Sequence, residues 1–329
     1  MTQQLEFNSQ PIDKPIELTS QLTTKNQTTI ALAALFPVLI IVAAAPILIK
    51  LSEYEVNPNT IMFNRLWMAL PTLGCWNGIL RFKEKWTKNP NSLKFFPQER
   101  DEFLLLLLLG VLSGGHQLLY AWSLTQTSAA NAEVLHSITP IFIAFAGWIF
   151  LSQQFKGKFI LGMVIAICGS SALVVNDLSI TLDKLQGDGL AVISAILWSG
   201  YLLILEKLQT QFSINIITTW TYLVGTVLLF PILLLTHDGL FPNSWEVWLI
   251  IGVLGNLGIL NRVFLTYSLK RLPSALVATI LLLHPIITAI LAWGIFSETL
   301  NLLNGLAFFV ILLGVYLAIS SQVEFSQSD

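Results

Sequence analysis

Two stretches of this chain repeat one another 145 residues apart, and both are apolar over lengths that cross a lipid bilayer. Thr127–Leu151 reads TSAANAEVLHSITPIFIAFAGWIFL and Leu272–Phe296 reads LPSALVATILLLHPIITAILAWGIF. At that offset Ala130 falls on Ala275, Pro140 on Pro285, Ala144 on Ala289 and Trp148 on Trp293. Upstream it carries Gly110 to Gly255 and Ser123 to Ser268; downstream it carries Ser152 to Ser297 and Gly169 to Gly314. A duplicated hydrophobic unit points to a symmetric membrane protein, in which the orientation of each half decides what can move.

A soluble fold does not fit the composition. The chain is 54% hydrophobic and 11% charged, whereas a soluble domain has about a quarter charged residues. In lipid the backbone must satisfy its own hydrogen bonds, and these runs lack the alternation of a barrel strand, so helices are expected. Ten spans are expected near 29–49, 60–80, 103–124, 128–151, 158–176, 188–206, 215–236, 246–269, 273–296 and 302–320. Residues 1–28 lack an apolar leader run and read, like 321–329, as flexible tails. Cys75 and Cys168 fall inside spans and are expected as buried thiols, in neither a disulfide nor a metal site.

Lys and Arg in the loops set the orientation. Thirteen lie on one side, in the N-terminal tail, in the loops after spans two, four and six, and between spans eight and nine; the other side has Lys50 and Lys184. Both termini are thereby expected in the cytoplasm. Spans three to five match spans eight to ten, five helices apart, so matched helices cross in opposite directions. The expected architecture is all-α, with ten transmembrane helices in two inverted five-helix repeats, 29–176 and 188–320. Such a pair can exchange conformations around a midplane site.

Each half carries A-x9-P-x7-W-x3 followed by Ser-Gln or Ser-Glu. The residues are Ser128, Ala129, Ala130, Pro140, Trp148 and Ser152-Gln153, then Ser274, Ala275, Pro285, Trp293 and Ser297-Glu298. With the segment Asn57–Arg65, this pattern resembles the EamA family of the drug/metabolite transporter superfamily over about residues 29–320. The resemblance implies a plasma-membrane permease for small organic metabolites, with amino-acid or drug-like solutes as substrates and efflux as the favoured direction. Gln153 departs from the glutamate usual at its position.

Glycines at 110 and 114, and at 252, 255 and 258, suit close helix packing in lipid. Pro140 and Pro285 each remove a backbone donor and are expected to kink their helices, for gating or for packing alone. Glu133, His136, Ser137 and Pro140 share one helical face. A charge in hydrocarbon faces a cavity or a partner, so Glu133 and Arg65 are candidates for substrate or proton binding, with a static ion pair between their helices as the alternative. Further candidates are Gln117, Tyr120, Arg262, Asn261, Tyr267, His284, Trp198 and Tyr201. The aromatic groups and amides suit an organic solute with apolar and polar parts.

No GxxxxGK[ST] motif for ATP and no HExxH metal motif occurs. No cofactor, metal, nucleic acid or catalytic constellation is expected. The expected partners are the organic substrate, membrane lipid and, through Glu133, protons. One chain holds both halves, so a monomer suffices, while the glycine faces allow a dimer. A channel or a non-transporting receptor or scaffold is the competing class.

Overall fold

The structure is a computed structural model that describes residues 27–52, 55–87, 97, 99–127, 129–151, 153–173, 185–236, 239–296 and 302–325. Expectations for the two tails up to 26 and from 326, for Ser128, Ser152 and Ser297-Glu298, and for Lys88, Lys94 and Lys184 lie outside the described residues.

These residues form an all-helical bundle. A helical stretch over 27–33 leads into α1 (Leu35–Ser52). There follow α2 (Pro58–Trp67), α3 (Ala69–Thr87), α4 (Arg100–Gln126), α5 (Ala129–Ser137), α6 (Thr139–Leu151) and α7 (Gly157–Leu173). The remainder comprises α8 (Leu185–Leu208), α9 (Ile214–Leu235), α10 (Trp245–Leu269), α11 (Ser274–Leu281), α12 (His284–Phe296) and α13 (Leu302–Phe325).

Four expected spans are broken by short turns, each just ahead of a proline. The turns fall at Ala34 before Pro37, at Met68 before Pro71, at Ile138 before Pro140, and at Leu282–Leu283 before Pro285. Proline lacks the N–H that would bond the carbonyl four residues earlier, and its ring crowds that carbonyl. The freed carbonyl ahead of Pro140 is that of His136, and Thr139 Oγ1 donates to it at 2.6 Å. The freed carbonyl ahead of Pro285 is that of Leu281, and His284 Nδ1 reaches it at 2.7 Å. In both cases the residue preceding the proline supplies the missing donor. The helix starts of α4 to α7 (100, 129, 139, 157) and of α10 to α13 (245, 274, 284, 302) keep the 145-residue spacing of the sequence.

Eight helical segments among the described residues are long and apolar enough to cross a membrane. Gly157–Ala172 is apolar but shorter, and α2–α3 is interrupted at Met68. Large apolar side chains cover the outside: Phe36, Phe150, Leu235, Leu302 and Phe309 are all more than half exposed. This surface belongs in lipid. Trp148 and Trp293 of the repeated motif face outward too. Cys75 and Cys168 are free, as expected, but exposed rather than buried, because their helices turn those positions away from the bundle.

Inside, small residues set the closest approaches. A Cβ on Gly162 would lie 2.6 Å from both Gly314 O and Ala318 N, so α7 and α13 meet backbone to backbone. Gly110 admits Val224, which seats α9 on α4, and Gly255 admits the Arg65 carbonyl, which seats α2 on α10. Without a hydrophobic drive between helices in lipid, such close packing carries much of the association.

Polar contacts tie the loops at each end. At one end the Glu55 carboxylate accepts from Asn243 N, from Ser244 Oγ and, at 2.8 Å, from Ser244 N. Beside it Thr60 Oγ1 donates to Gly239 O at 2.7 Å and Asn64 Nδ2 to Leu240 O at 2.8 Å. At the other end Glu206 accepts from Ser274 N at 3.1 Å and from Gln153 Nε2 at 3.4 Å.

Candidate functional site

Between the helices lies a cavity of about 290 Å³. Residues from α1, α2, α4, α5, α6, α8, α9, α10, α11 and α12 line it, so both matched stretches contribute. Of the residues singled out in the sequence it gathers Arg65, Gln117, Tyr120, Glu133, His136, Ser137, Pro140, Trp198, Asn261, Arg262 and His284, and it adds His116. A second hollow, around Trp245, Leu249 and Val253 on α10, has an almost wholly apolar lining and opens onto the outer surface.

Glu133 and His284 meet across the cavity. Glu133 Oε1 lies 3.0 Å from His284 Nε2, and Glu133 Oε2 accepts from Tyr120 Oη at 3.0 Å. The Leu281 carbonyl can only accept, so His284 Nδ1 carries a hydrogen. The remaining contact, between Nε2 and a carboxyl oxygen, then needs one proton between two acceptors. Whichever atom holds it, the pair is neutral overall. The break before Pro285 thus does two things: it frees the carbonyl that fixes the imidazole, and it aims the other nitrogen at Glu133.

Arg65 does not pair with Glu133, which corrects the alternative of a static ion pair between their helices. Helix α2 packs on α9 and α10 rather than on α5. Arg65 Nη1 reaches only the Met62 sulfur, at 3.6 Å. Among the described residues no carboxylate lies within ion-pair distance of it. Arg262, 8% exposed, is more firmly held. It donates to Tyr201 Oη and, at 2.6 Å, to Ser113 Oγ, and its guanidinium sits 5.0 Å from the Tyr201 ring centroid and 5.3 Å from that of Tyr222.

An aromatic wall completes the lining. Trp198 stacks on Tyr201 with centroids 4.8 Å apart and planes 13° from parallel. His116 lies 4.8 Å from Trp198 and 5.2 Å from His136, centroid to centroid. His116 Nδ1 is held by Ser194 Oγ at 2.8 Å. Buried polar atoms at the cavity lack a partner among the described residues: the acceptors Gln117 Oε1 and Asn261 Oδ1, and the ring nitrogen His136 Nε2. These are groups a solute could satisfy.

Three candidates stand apart from the lining. Tyr201 is buried behind Trp198 and supports Arg262. Tyr267 lies under Arg271, 4.6 Å from the guanidinium to the ring centroid. Pro285 acts through the break beside the cavity. Sequence reasoning passed over Ser113, Ser194 and Thr139. Of these only Thr139 had a local signal, as the hydroxyl residue immediately before a proline.

A model of the EamA-like transporter family matches residues 28–175 and 185–320. An uncharacterized transporter of Archaeoglobus fulgidus is 25% identical over 296 residues, which cover 86% of this chain and 95% of that protein. The inner membrane transporter YhbE of Escherichia coli K12 is 26% identical over 296 residues, covering 85% and 88%. Protein RarD of the same organism is 26% identical over 235 residues, covering 69% and 72%. A solved crystal structure superposes with a TM-score of 0.72 at 14% identity, over 89% of this chain and 98% of the other, which is a likeness of fold.

Proposed function

The chain belongs to the EamA-like transporter family, and from that membership of a membrane transporter family we propose that it is a secondary-active permease exporting a small organic metabolite by alternating access. The observation that carries the reading is the cavity between the two matched stretches, with charged and hydrogen-bonding groups turned into a membrane-embedded space. A charge placed at the bilayer centre costs about 2.5–3.5 kcal/mol on insertion scales, so such groups mark solute or ion paths.

The proposed topology is ten spans in two inverted five-helix repeats, 29–176 and 188–320, with both termini cytoplasmic. The loop-charge asymmetry and the common 145-residue spacing of helix starts support it. So do the contacts between loops. Glu55 meets Asn243 and Ser244 at the end assigned outside, and Glu206 meets Gln153 and Ser274 at the end assigned inside. Glu133 and His284 are the proposed coupling pair, because one shared proton links helices of the two halves. Gln117, Tyr120, His136, Trp198 and Asn261 are the proposed solute contacts, and the breaks at Pro140 and Pro285 the proposed points of flexure.

Comparing the solutes retained by deletion and overexpressing cells tests this function. An exported organic metabolite accumulates in the deletion strain and falls in the overexpressing one. Unchanged organic pools, together with flux of inorganic ions only through the purified protein in vesicles, would refute the reading.

A further inference from the structure

Charge in the cavity does not balance. Glu133 is the one carboxylate among the lining residues, and it is already matched by the proton it shares with His284. That leaves two guanidinium groups, Arg65 and Arg262, which stay protonated in any protein environment. They come from different helices, α2 and α10, and both line the cavity beside Tyr222. Among the described residues Arg262 meets only neutral oxygens and aromatic faces, and Arg65 only a thioether. Two uncompensated cations beside one membrane-embedded space are costly unless something negative joins them.

We propose that the cavity takes an organic anion, its carboxylate held between Arg65 and Arg262 and its planar body laid against Trp198 and His116. Guanidinium groups bind carboxylates through paired N–H donors, and Arg262 keeps donors beyond the two committed to Tyr201 and Ser113. The cavity volume of about 290 Å³ admits a solute the size of one or two fused rings with a short acidic arm. Glu133 is engaged by His284 and Tyr120 and leaves the arginines as the free charges that the acidic arm meets. An ammonium group gains little here, because the carboxylate it needs is already engaged. The cavity is therefore selective for a net negative charge over a zwitterion or a neutral solute. This rests on the cavity being the substrate site.

Calorimetric titration of the full-length protein in lipid nanodiscs tests both layers, with indole-3-acetate, indole-3-acetamide and tryptophan as probes. The acid is expected to bind at least tenfold more tightly than the amide or the zwitterion. R65Q, which removes the less constrained arginine, should abolish that preference while the protein stays monodisperse; R262K, which keeps the charge where R262Q endangers folding, should weaken it. A45F, which fills the lining, should abolish binding of all three. A preference below tenfold, its survival in folded R65Q, or binding of none of the probes overturns the anion assignment. If acid and amide bind alike and A45F blocks both, the anion fails and the cavity stands as the site. If the acid binds A45F as it binds the unaltered protein, it sits elsewhere and both readings fail.

Discussion

His284 Nε2 lies 3.0 Å from Glu133 Oε1, and the two residues belong to opposite matched stretches. Each lies on a helix next to a break, so in the proposed cycle a shift of α5 against α12 would make or break this contact. Proton movement and helix movement would then be the same event.

The first prediction follows from that pair. E133Q should abolish proton-driven accumulation in vesicles yet leave solute exchange and the folded yield intact. The amide still accepts from Tyr120 but cannot trade a proton with His284. Normal accumulation by well-expressed E133Q removes Glu133 from coupling; loss of folding makes the pair structural.

Thr139 offers a graded test of the break. T139V keeps the shape but leaves the His136 carbonyl without its 2.6 Å donor. An unmet buried group costs about 1–3 kcal/mol, so a lowered melting temperature is expected in detergent. P140A should act in the opposite sense, with a stability equal to or above that of the unaltered protein and slower transport, because the helix can close across Ile138. Unaltered transport by P140A would make the break a matter of packing.

The seam between α7 and α13 should tolerate no side chain. G162L drives a branched group into the backbone of α13 at Gly314 and Ala318. Overpacking of this kind costs about 1–3 kcal/mol or more, and here it meets backbone that cannot rotate away. Size-exclusion profiles should show aggregation for G162L and none for G74L, where an added Cβ meets nothing within 4 Å.

Sidedness can be read with single cysteines. A cysteine at Asn243 should react with an impermeant reagent from outside, and one at Thr210 only after permeabilisation. Labelling of both from the same side defeats the inverted topology.

Glu55 supplies a pH test outside the spans. The Ser244 hydroxyl, then the Ser244 amide, hold its carboxyl below the usual carboxylate range. A lowered folded-state pKa gives a contribution that is present above the unfolded value and lost as pH falls through the folded one. Protection of the Asn243 and Ser244 amides from hydrogen exchange should therefore drop on acidification below that range. E55Q should show weak protection at every pH, with no such step.

Much of this architecture was legible because lipid forces it. Apolar length identifies spans, and the prolines at 140 and 285 mark where two of them break. The splits at Ala34 and Met68 were not expected, although Pro37 and Pro71 follow them at the same spacing. Membership of the cavity was also legible: Glu133, His136 and Pro140 share a helical face, and Gln117 with Tyr120 lies on a neighbouring one. Partnership was not. Whether Glu133 meets Arg65 or His284 depends on which face α2 turns toward α10, and Gly255 decides that by admitting the Arg65 carbonyl. The Glu55–Ser244 contact joins residues 189 positions apart through a loop with no pattern to announce it.

Glu133 and His136 stand opposite a second stretch that has Ala278 and Leu281 at the matching positions. Were the halves chemically alike, the two access states would be degenerate, and an unloaded carrier would rest equally in both. In the proposed cycle only one half brings the acid, so the two states would differ in energy and one would be the more populated at rest. That bias sets which face of the membrane a solute meets first and how long an empty carrier waits before returning. It leaves the equilibrium gradient untouched, as any catalyst of transport must, and in the proposed cycle it would show only as unequal rates of efflux and influx into an empty far side.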